Sequence, residues 1–540
     1  MRIIVLILIT ILLSSCAVRQ VGTFHNNIVY QPNSEESANK IIFITIDGTS
    51  NTLTSRTNAG RLFEMVDTLT PLRQDRKIVT WYAEGVGSGD AKLLGLSVGA
   101  GMGQDIKNAY AFLTRVWQPG DEIYLSGFSR GAYGARALGG LLYSAGIPDL
   151  STNTPKERNR TVDRIFDAYK TGERRGENFE THSFRRDQRI RNVQIGYHPD
   201  RQPTWGPGRD PGYRSKASKV VVEAMLIWDT VAALGAPDGK ESPLEGPDHY
   251  LLTSCNVKRV YQALALDDNR VYSFTPIFAD GPKMLRSCSE HLSRQNDHIA
   301  TDEVWFSGAH SDVGGTYEND GLLDGSLPGV SLNWMLSKLQ INHGGLLPFG
   351  LGAPEDRLGV IHDAERAGFQ NKILYRQTRK PSVYSHHAYR QDNSLPSTPQ
   401  RLKVHSSVFD RLRWLFALDG ADGRCSGNGP RDGKPLLCAE QIASYGLVPE
   451  LIKAKCLQKT DWGYELVPDH WDIPACPVVI GSQRRPEPEI ARIPDCSAAR
   501  KPLTGSVYEG RLSEVNLRNL KMEDFQVPVP DCGSDVLLIK

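Results

Sequence analysis

Gly127-Phe128-Ser129-Arg130-Gly131 sets the terms for the rest of the chain. Before it, Asp121-Glu122-Ile123-Tyr124-Leu125-Ser126 is half apolar and follows Pro119-Gly120, which predicts a strand. After it, Ala132 to Leu142 carries small and apolar residues at helical spacing, which predicts a helix. A serine at such a junction sits on a strained turn that exposes its oxygen, and glycine on each side leaves room where a Cβ would strike the neighbouring strand and helix. The turn marks Ser129 as a candidate nucleophile and calls for a sheet whose strand ends present it.

The segments around this turn have the rhythm of such a sheet. Ile41-Ile42-Phe43-Ile44-Thr45-Ile46 is a continuous β-branched run, as in a parallel strand buried on both faces. It ends in Asp47-Gly48-Thr49-Ser50-Asn51. Further strands are expected at Val79–Ala83, at Val220–Trp228 before Asp229-Thr230-Val231, at Val271–Phe274, and at Glu303–Gly308 before His310 to Gly315. Ile106, Ala109, Tyr110, Leu113 and Val116 mark one face of a helix, and Leu332 to Leu339 reads as another. Strands alternating with helices imply a mostly parallel sheet with helices on both faces, an α/β-hydrolase-like arrangement.

Three regions depart from that rhythm. Residues 1–16 hold a short apolar core from Ile3 to Leu13, too short for a stable membrane span, so they read as a signal peptide. Leu13-Ser14-Ser15-Cys16 resembles a bacterial lipobox, which implies cleavage and acylation at Cys16; the alternative is an ordinary secretory signal with an incidental cysteine. Residues 17–39 are a polar tether, and the catalytic domain is expected over 40–418, with an Arg-rich insertion at about 151–219 serving as a lid, a lipid-facing surface or a solvated decoration. The region 419–540 is rich in Cys and Pro and is expected to be a separate C-terminal addition. Nine cysteines less Cys16 leave eight, an even number that an oxidising compartment can pair. None forms C-x-x-C, which argues against a zinc site. The net charge of +1 gives no field for nucleic acid.

In an open parallel sheet the polar loops after the strands gather on one edge, where ligands bind. A serine nucleophile there needs a base and a carboxylate that orients the base. In this fold the chain order is Ser, then acid, then His. Asp229 is the first choice for the acid and Asp312 its rival; His405 is the first choice for the base and His310 its rival. The oxyanion would be held by the amide of Arg130 and by Gly48 or Thr49. Two other readings stand beside this one. Asp47 and Thr49 at a strand end, with His310 and Asp312, would suit a metal-dependent phosphodiesterase, and the same fold would serve a non-catalytic surface lipoprotein as a binding module.

Four stretches carry a more specific signal: Phe43-x-x-x-Asp47-Gly48-Thr49-x-Asn51, Gly127 to Ala132, Trp228-Asp229-Thr230-Val231, and Val304-Trp305-Phe306-x-Gly308-x-His310-Ser311-Asp312-Val313-Gly314-Gly315. In wording and order they resemble the α/β-hydrolase domain of the type VI secretion lipase effectors, over roughly Lys40 to Leu339. The resemblance implies a cofactor-free esterase acting on phospholipid acyl esters, with Ser129 as nucleophile, Asp229 as acid and His405, in its His-x-Ser-Val context, as base. Cys16 would hold the protein in the bacterial cell envelope, at the outer membrane, with lipid as its partner. Secreted effectors of this kind generally lack a lipobox, and the Cys-rich end does not match theirs, so lipase activity is better supported than an injected toxin.

Overall fold

A computed structural model describes residues 40–69, 77–85, 98–118, 120–148, 150, 153–170, 189, 220–231, 256–268, 300–316, 327–343, 346–347, 351–355, 357, 359, 361–362, 379, 402–413, 448–460, 464–467, 473, 476 and 478–480. Among these, eight strands form one sheet: β1 (Ile41–Ile46), β2 (Ile78–Ala83), β3 (Glu122–Phe128), β4 (Val222–Trp228), β5 (Arg259–Ala265), β6 (Ala300–Phe306), β7 (Leu402–Val404) and β10 (Val478–Ile480). Their spatial order is β10-β7-β6-β5-β4-β3-β1-β2, and every neighbouring pair is parallel. All their C-terminal ends therefore lie on one edge, as the sequence pattern requires.

The helices divide between the two faces because alternate strand residues point to opposite sides. Ile42, Ile44, Ile46, Ile123 and Leu125 join one core with α2 (Val98–Val116), α3 (Arg130–Ala145) and α4 (Pro155–Tyr169). Ile41, Phe43, Tyr124, Phe128 and Trp228 join the other with α1 (Asn58–Leu69) and α6 (Leu327–Asn342). The expected helix face of Ile106, Ala109, Tyr110, Leu113 and Val116 lies in the first core, and Leu332 to Leu339 falls within α6. This is an α/β-hydrolase fold.

Several elements depart from the sequence expectations. β5 follows a short polar stretch, and its alternation in Val260-Tyr261-Gln262-Ala263-Leu264 is too weak to stand out. The strand expected at Val271–Phe274 lies outside the described residues. The insertion expected from residue 151 opens on α4, which is a core element. Thr154 and Glu157 form a capping box, and Val162, Ile165 and Phe166 pack into the first core.

The boundary expected at 419 is likewise crossed. β10 extends the sheet beyond β7, and α8 (Val448–Lys453) with β8 (Leu457–Lys459) supplies Val448, Leu451, Cys456 and Leu457 to a third core. That core also holds Leu264, Trp305, Val404 and Phe409, the last from α7 (Ser406–Arg413). β9 (Tyr464–Leu466) pairs with β8, and a Cys456–Cys476 disulfide closes the segment. Apolar residues spaced too irregularly to announce a helix or strand still bury together here. Cys16 and the tether lie outside the described residues, and no described helix is long and apolar enough to cross a membrane.

The elbow depends on close backbone approach. A Cβ on Gly131 would lie 2.0 Å from the Ile46 carbonyl oxygen, and one on Gly127 2.6 Å from the Gly131 oxygen. Neither neighbour is a side chain that can swing aside. Gly131→Ala is expected to lower the unfolding free energy read from urea titration by about 2 kcal/mol or more, as overpacking against fixed backbone does, whereas Ala132→Gly should cost only about 1 kcal/mol by helix propensity.

Candidate active site

Ser129 occupies the turn between β3 and α3 with φ 58° and ψ −123°, a conformation that non-glycine residues rarely adopt. Its N–H donates to the Trp228 carbonyl at 2.9 Å, which ties the elbow to the end of β4. Asp229, the next residue on that strand, also has positive φ, at 40°, and its N–H donates to the Ala263 carbonyl on β5. Strain of this kind persists only where the surroundings over-determine it, and it gathers at functional sites. α3 begins immediately after the serine, so its unsatisfied amides and positive dipole end face the position where negative charge would develop.

The histidine brought to Asp229 is His310, at the start of the short helix α5 (His310–Gly314) after β6. Its Nδ1 lies 2.5 Å from Asp229 Oδ2, and its ring packs against that of Phe128 with centroids 4.6 Å apart. Phe128 is the residue before Ser129. The loop before α5 is clamped by two neighbouring carboxylates: Gly308 N–H donates to Asp267 Oδ2 at 2.7 Å, and His310 N–H to Asp268 Oδ2 at 3.1 Å. Asn58 on α1 donates to the Val313 carbonyl at 2.9 Å and holds the other end of α5.

Asp229 is fully buried. Burial alone would raise its pKa, but the charge of Arg379 and the bond with His310 outweigh that and hold it below the usual carboxylate range. Arg379 grips both carboxylate oxygens, Nη1 to Oδ1 at 2.8 Å and Nη2 to Oδ2 at 3.0 Å, and the Ala265 N–H adds a bond to Oδ1 at 3.0 Å.

Neither His405 nor Asp312 joins Asp229. His405 follows β7, four strand steps or roughly 19 Å from β3 at ordinary sheet spacing. Its Nδ1 accepts the Ser407 N–H at 3.2 Å and lies 2.9 Å from Ser407 Oγ, so the ring caps α7. It stacks on Phe306 at 4.6 Å. Burial, with Arg357 and Lys338 nearby, pushes its pKa down to about 3. The expectation that Asp229 orients His405 is thus replaced by an Asp229–His310 pair. Asp312 is committed to His362, whose N–H and Nδ1 lie 3.0 Å and 2.5 Å from its oxygens, and to the Ala309 N–H at 2.9 Å.

The β1 loop completes the edge. A Cβ on Gly48 would lie 3.2 Å from Ser129 Cβ, so this loop rests directly against the serine. The Gly48 N–H is already committed to Asp47 Oδ1 at 2.6 Å. The buried hydroxyl oxygen of Thr49 makes no hydrogen bond among the described residues. Asp47 is buried, and that pushes its pKa up to about 6 against the opposing bonds from Thr57, Tyr82 and Gly48. Those bonds make Asp47 a structural clasp for the loop, and among the described residues no group of three His, Cys, Asp or Glu side chains is placed to hold a metal.

Arg379, Asp268 and His362 escaped the sequence reading. Arg379 sits in the polar run Arg376-Gln377-Thr378-Arg379-Lys380, where nothing in spacing or composition sets it apart.

The family model of the type VI secretion phospholipase effector Tle1-like catalytic domain matches residues 40–338. A Saccharomyces cerevisiae protein, itself uncharacterized, is 31% identical over 134 residues, which cover 22% of this chain and 19% of that protein. Among solved structures, an uncharacterized Pseudomonas aeruginosa protein overlaps at 16% identity and TM-score 0.31, covering 57% of this chain and 46% of that one. The Tle1 effector bound to the VgrG spike overlaps at 17% identity and TM-score 0.24, covering 56% of each chain. An esterase from Thermogutta terrifontis overlaps at 15% identity and TM-score 0.26, covering 59% of this chain and 89% of that one. The chain thus spans about a fifth of the yeast relative and just under half of the Pseudomonas aeruginosa chain. The fold assignment rests on the sheet topology, not on these overlaps.

His405 and Asp47 set opposite pH dependences of stability. A histidine whose pKa falls from 6.5 to about 3 on folding stabilises fully above pH 6.5 and loses that contribution as pH falls toward 3. Asp47, raised to about 6, stabilises at low pH and loses its contribution as pH rises through 6. Between pH 6.5 and 4 the His405 contribution amounts to about 3 kcal/mol, at about 1.4 kcal/mol per unit. His405→Asn is therefore expected to flatten the loss of urea stability between pH 7 and pH 4 relative to wild type.

Proposed function

Because the chain belongs to the type VI secretion phospholipase effector Tle1-like family through its catalytic domain, we propose that it is a serine esterase that hydrolyses the acyl esters of phospholipids, with Ser129, His310 and Asp229 as its triad. The observation that carries this reading is the 2.5 Å contact between His310 Nδ1 and Asp229 beside a serine on a strained strand-to-helix turn. The contact fixes the imidazole so that Nε2 exchanges the proton with Ser129. Ser129 Oγ attacks the ester carbonyl as His310 takes its proton. The imidazolium is stabilised by Asp229 and then protonates the leaving alcohol. Water, deprotonated by the same ring, releases the fatty acid and regenerates the serine. The Arg130 amide at the head of α3 and the hydroxyl of Thr49 are the donors assigned to the oxyanion and ester oxygens.

We also place the protein in the bacterial cell envelope, held at the outer membrane through acylated Cys16. The lipobox-like Leu13-Ser14-Ser15-Cys16 supports this, as does the Cys456–Cys476 disulfide, which suits an oxidising compartment. Such an anchor sets a phospholipase against its substrate surface.

The full chain is to be assayed for fatty-acid release from phosphatidylethanolamine and phosphatidylglycerol vesicles and for labelling by a fluorophosphonate. Ser129→Ala and His310→Ala should each lose both activities, with rates down about 10³-fold or more. His405→Ala should stay within about tenfold of wild type. Labelling that survives His310→Ala but not His405→Ala would overturn the triad. Labelling without release of fatty acid would leave a serine esterase with some other ester substrate.

A further inference from the structure

The site is closed by a residue that lies beyond the family match. Four residues form a ring of contacts. Asp229 Oδ2 meets His310 Nδ1 at 2.5 Å, and the His310 N–H donates to Asp268 Oδ2 at 3.1 Å. The Asp268 carbonyl accepts the Arg379 N–H at 3.2 Å, and Arg379 Nη2 returns to Asp229 Oδ2 at 3.0 Å. Arg379 Nη1 spans the remaining gap, reaching Asp229 Oδ1 at 2.8 Å and the Ala265 carbonyl at 2.5 Å. The Arg379 side chain has no exposure to solvent. The family match ends at residue 338, so Arg379 lies outside the matched residues.

We propose that Arg379 is a positioning residue for the Asp229–His310 pair, fixing the plane of the carboxylate and setting the acid limit of the reaction. The proposal rests on the triad reading above. A planar guanidinium holding both oxygens sets the rotation of the carboxyl group, and a single ammonium cannot do this. It also neutralises much of the field that Asp229 exerts on His310. An isolated buried carboxylate would favour the imidazolium, which cannot act as base; with Arg379 beside it, His310 stays neutral, and therefore active, to lower pH.

Among the described residues, other titratable groups at this edge are Asp267 and Asp268 after β5, Asp312 with His362 on and against α5, and Asp47 at the end of β1. Replacing Arg379 leaves all of these in place, so a change in the acid limb reports on the Asp229–His310 pair, which titrates as a unit.

The test follows the rate of fluorophosphonate labelling of Ser129 against pH in the full chain. His310→Ala comes first: persistent labelling there would refute the triad reading itself, whatever Arg379 does. With the triad upheld, Arg379→Met is expected to move the acid limb up by about 1–2 units, the span of a neighbouring-charge effect. Its labelling rate should fall more at pH 6 than at pH 8. Arg379→Lys, which keeps the charge but not the fork, should hold the limb within about half a unit while labelling about tenfold more slowly. A folded Arg379→Met protein with the wild-type acid limb would overturn the proposal. Should Arg379→Met not fold, an Arg379→Lys protein with wild-type rate and profile would overturn it equally.

Discussion

A carboxylate shut off from water must find its counter-charge inside the protein, since leaving it unpaired costs several kcal/mol. Asp229 meets that requirement with the Arg379 fork, the Ala265 amide and His310. These contacts draw together the end of β4, the end of β5, the helix after β6 and a segment more than sixty residues further on. The geometry of the site follows from neutralising this one charge. Because its orientation is set, the imidazole beside it has one orientation too.

The elbow places a second demand on the same edge. Ser129 reaches its conformation only because Gly131 lets α3 lie against the Ile46 carbonyl and Gly127 lets the turn close. Gly48 then rests against the serine, and the Asp47 clasp to Thr57 and Tyr82 keeps the β1 loop there. The start of α3, the strained turn and the β1 loop meet at this edge. A parallel sheet allows this because it delivers every strand end to the same side. The disulfide-closed segment belongs to the same body, through β10 and the third core.

What was legible in the sequence was local. The β1, β3, β4 and β6 strands announce themselves by apolar runs, and Ser129 by glycines whose spacing has a steric cause. Asp229 was legible because it follows an apolar strand at the presenting edge. His310 was visible as a histidine at a strand end, yet chain order alone favoured the later His405. β5 and the third core were missed because their apolar residues alternate weakly or come from segments distant in sequence.

The sequence by itself determined the fold class, the strained elbow that carries Ser129 and the edge on which the polar strand-end loops gather, because each is written in short-range periodicity and in where a Cβ can fit. Only the tertiary structure decided which histidine serves Asp229. His310 and His405 both follow strands, but the loop after β6 turns back toward β3, whereas His405 is held by Ser407 at the head of α7. It also decided that Arg379 completes the pair. A partner for a buried charge is chosen by distance in space, and no local pattern in a chain encodes that distance.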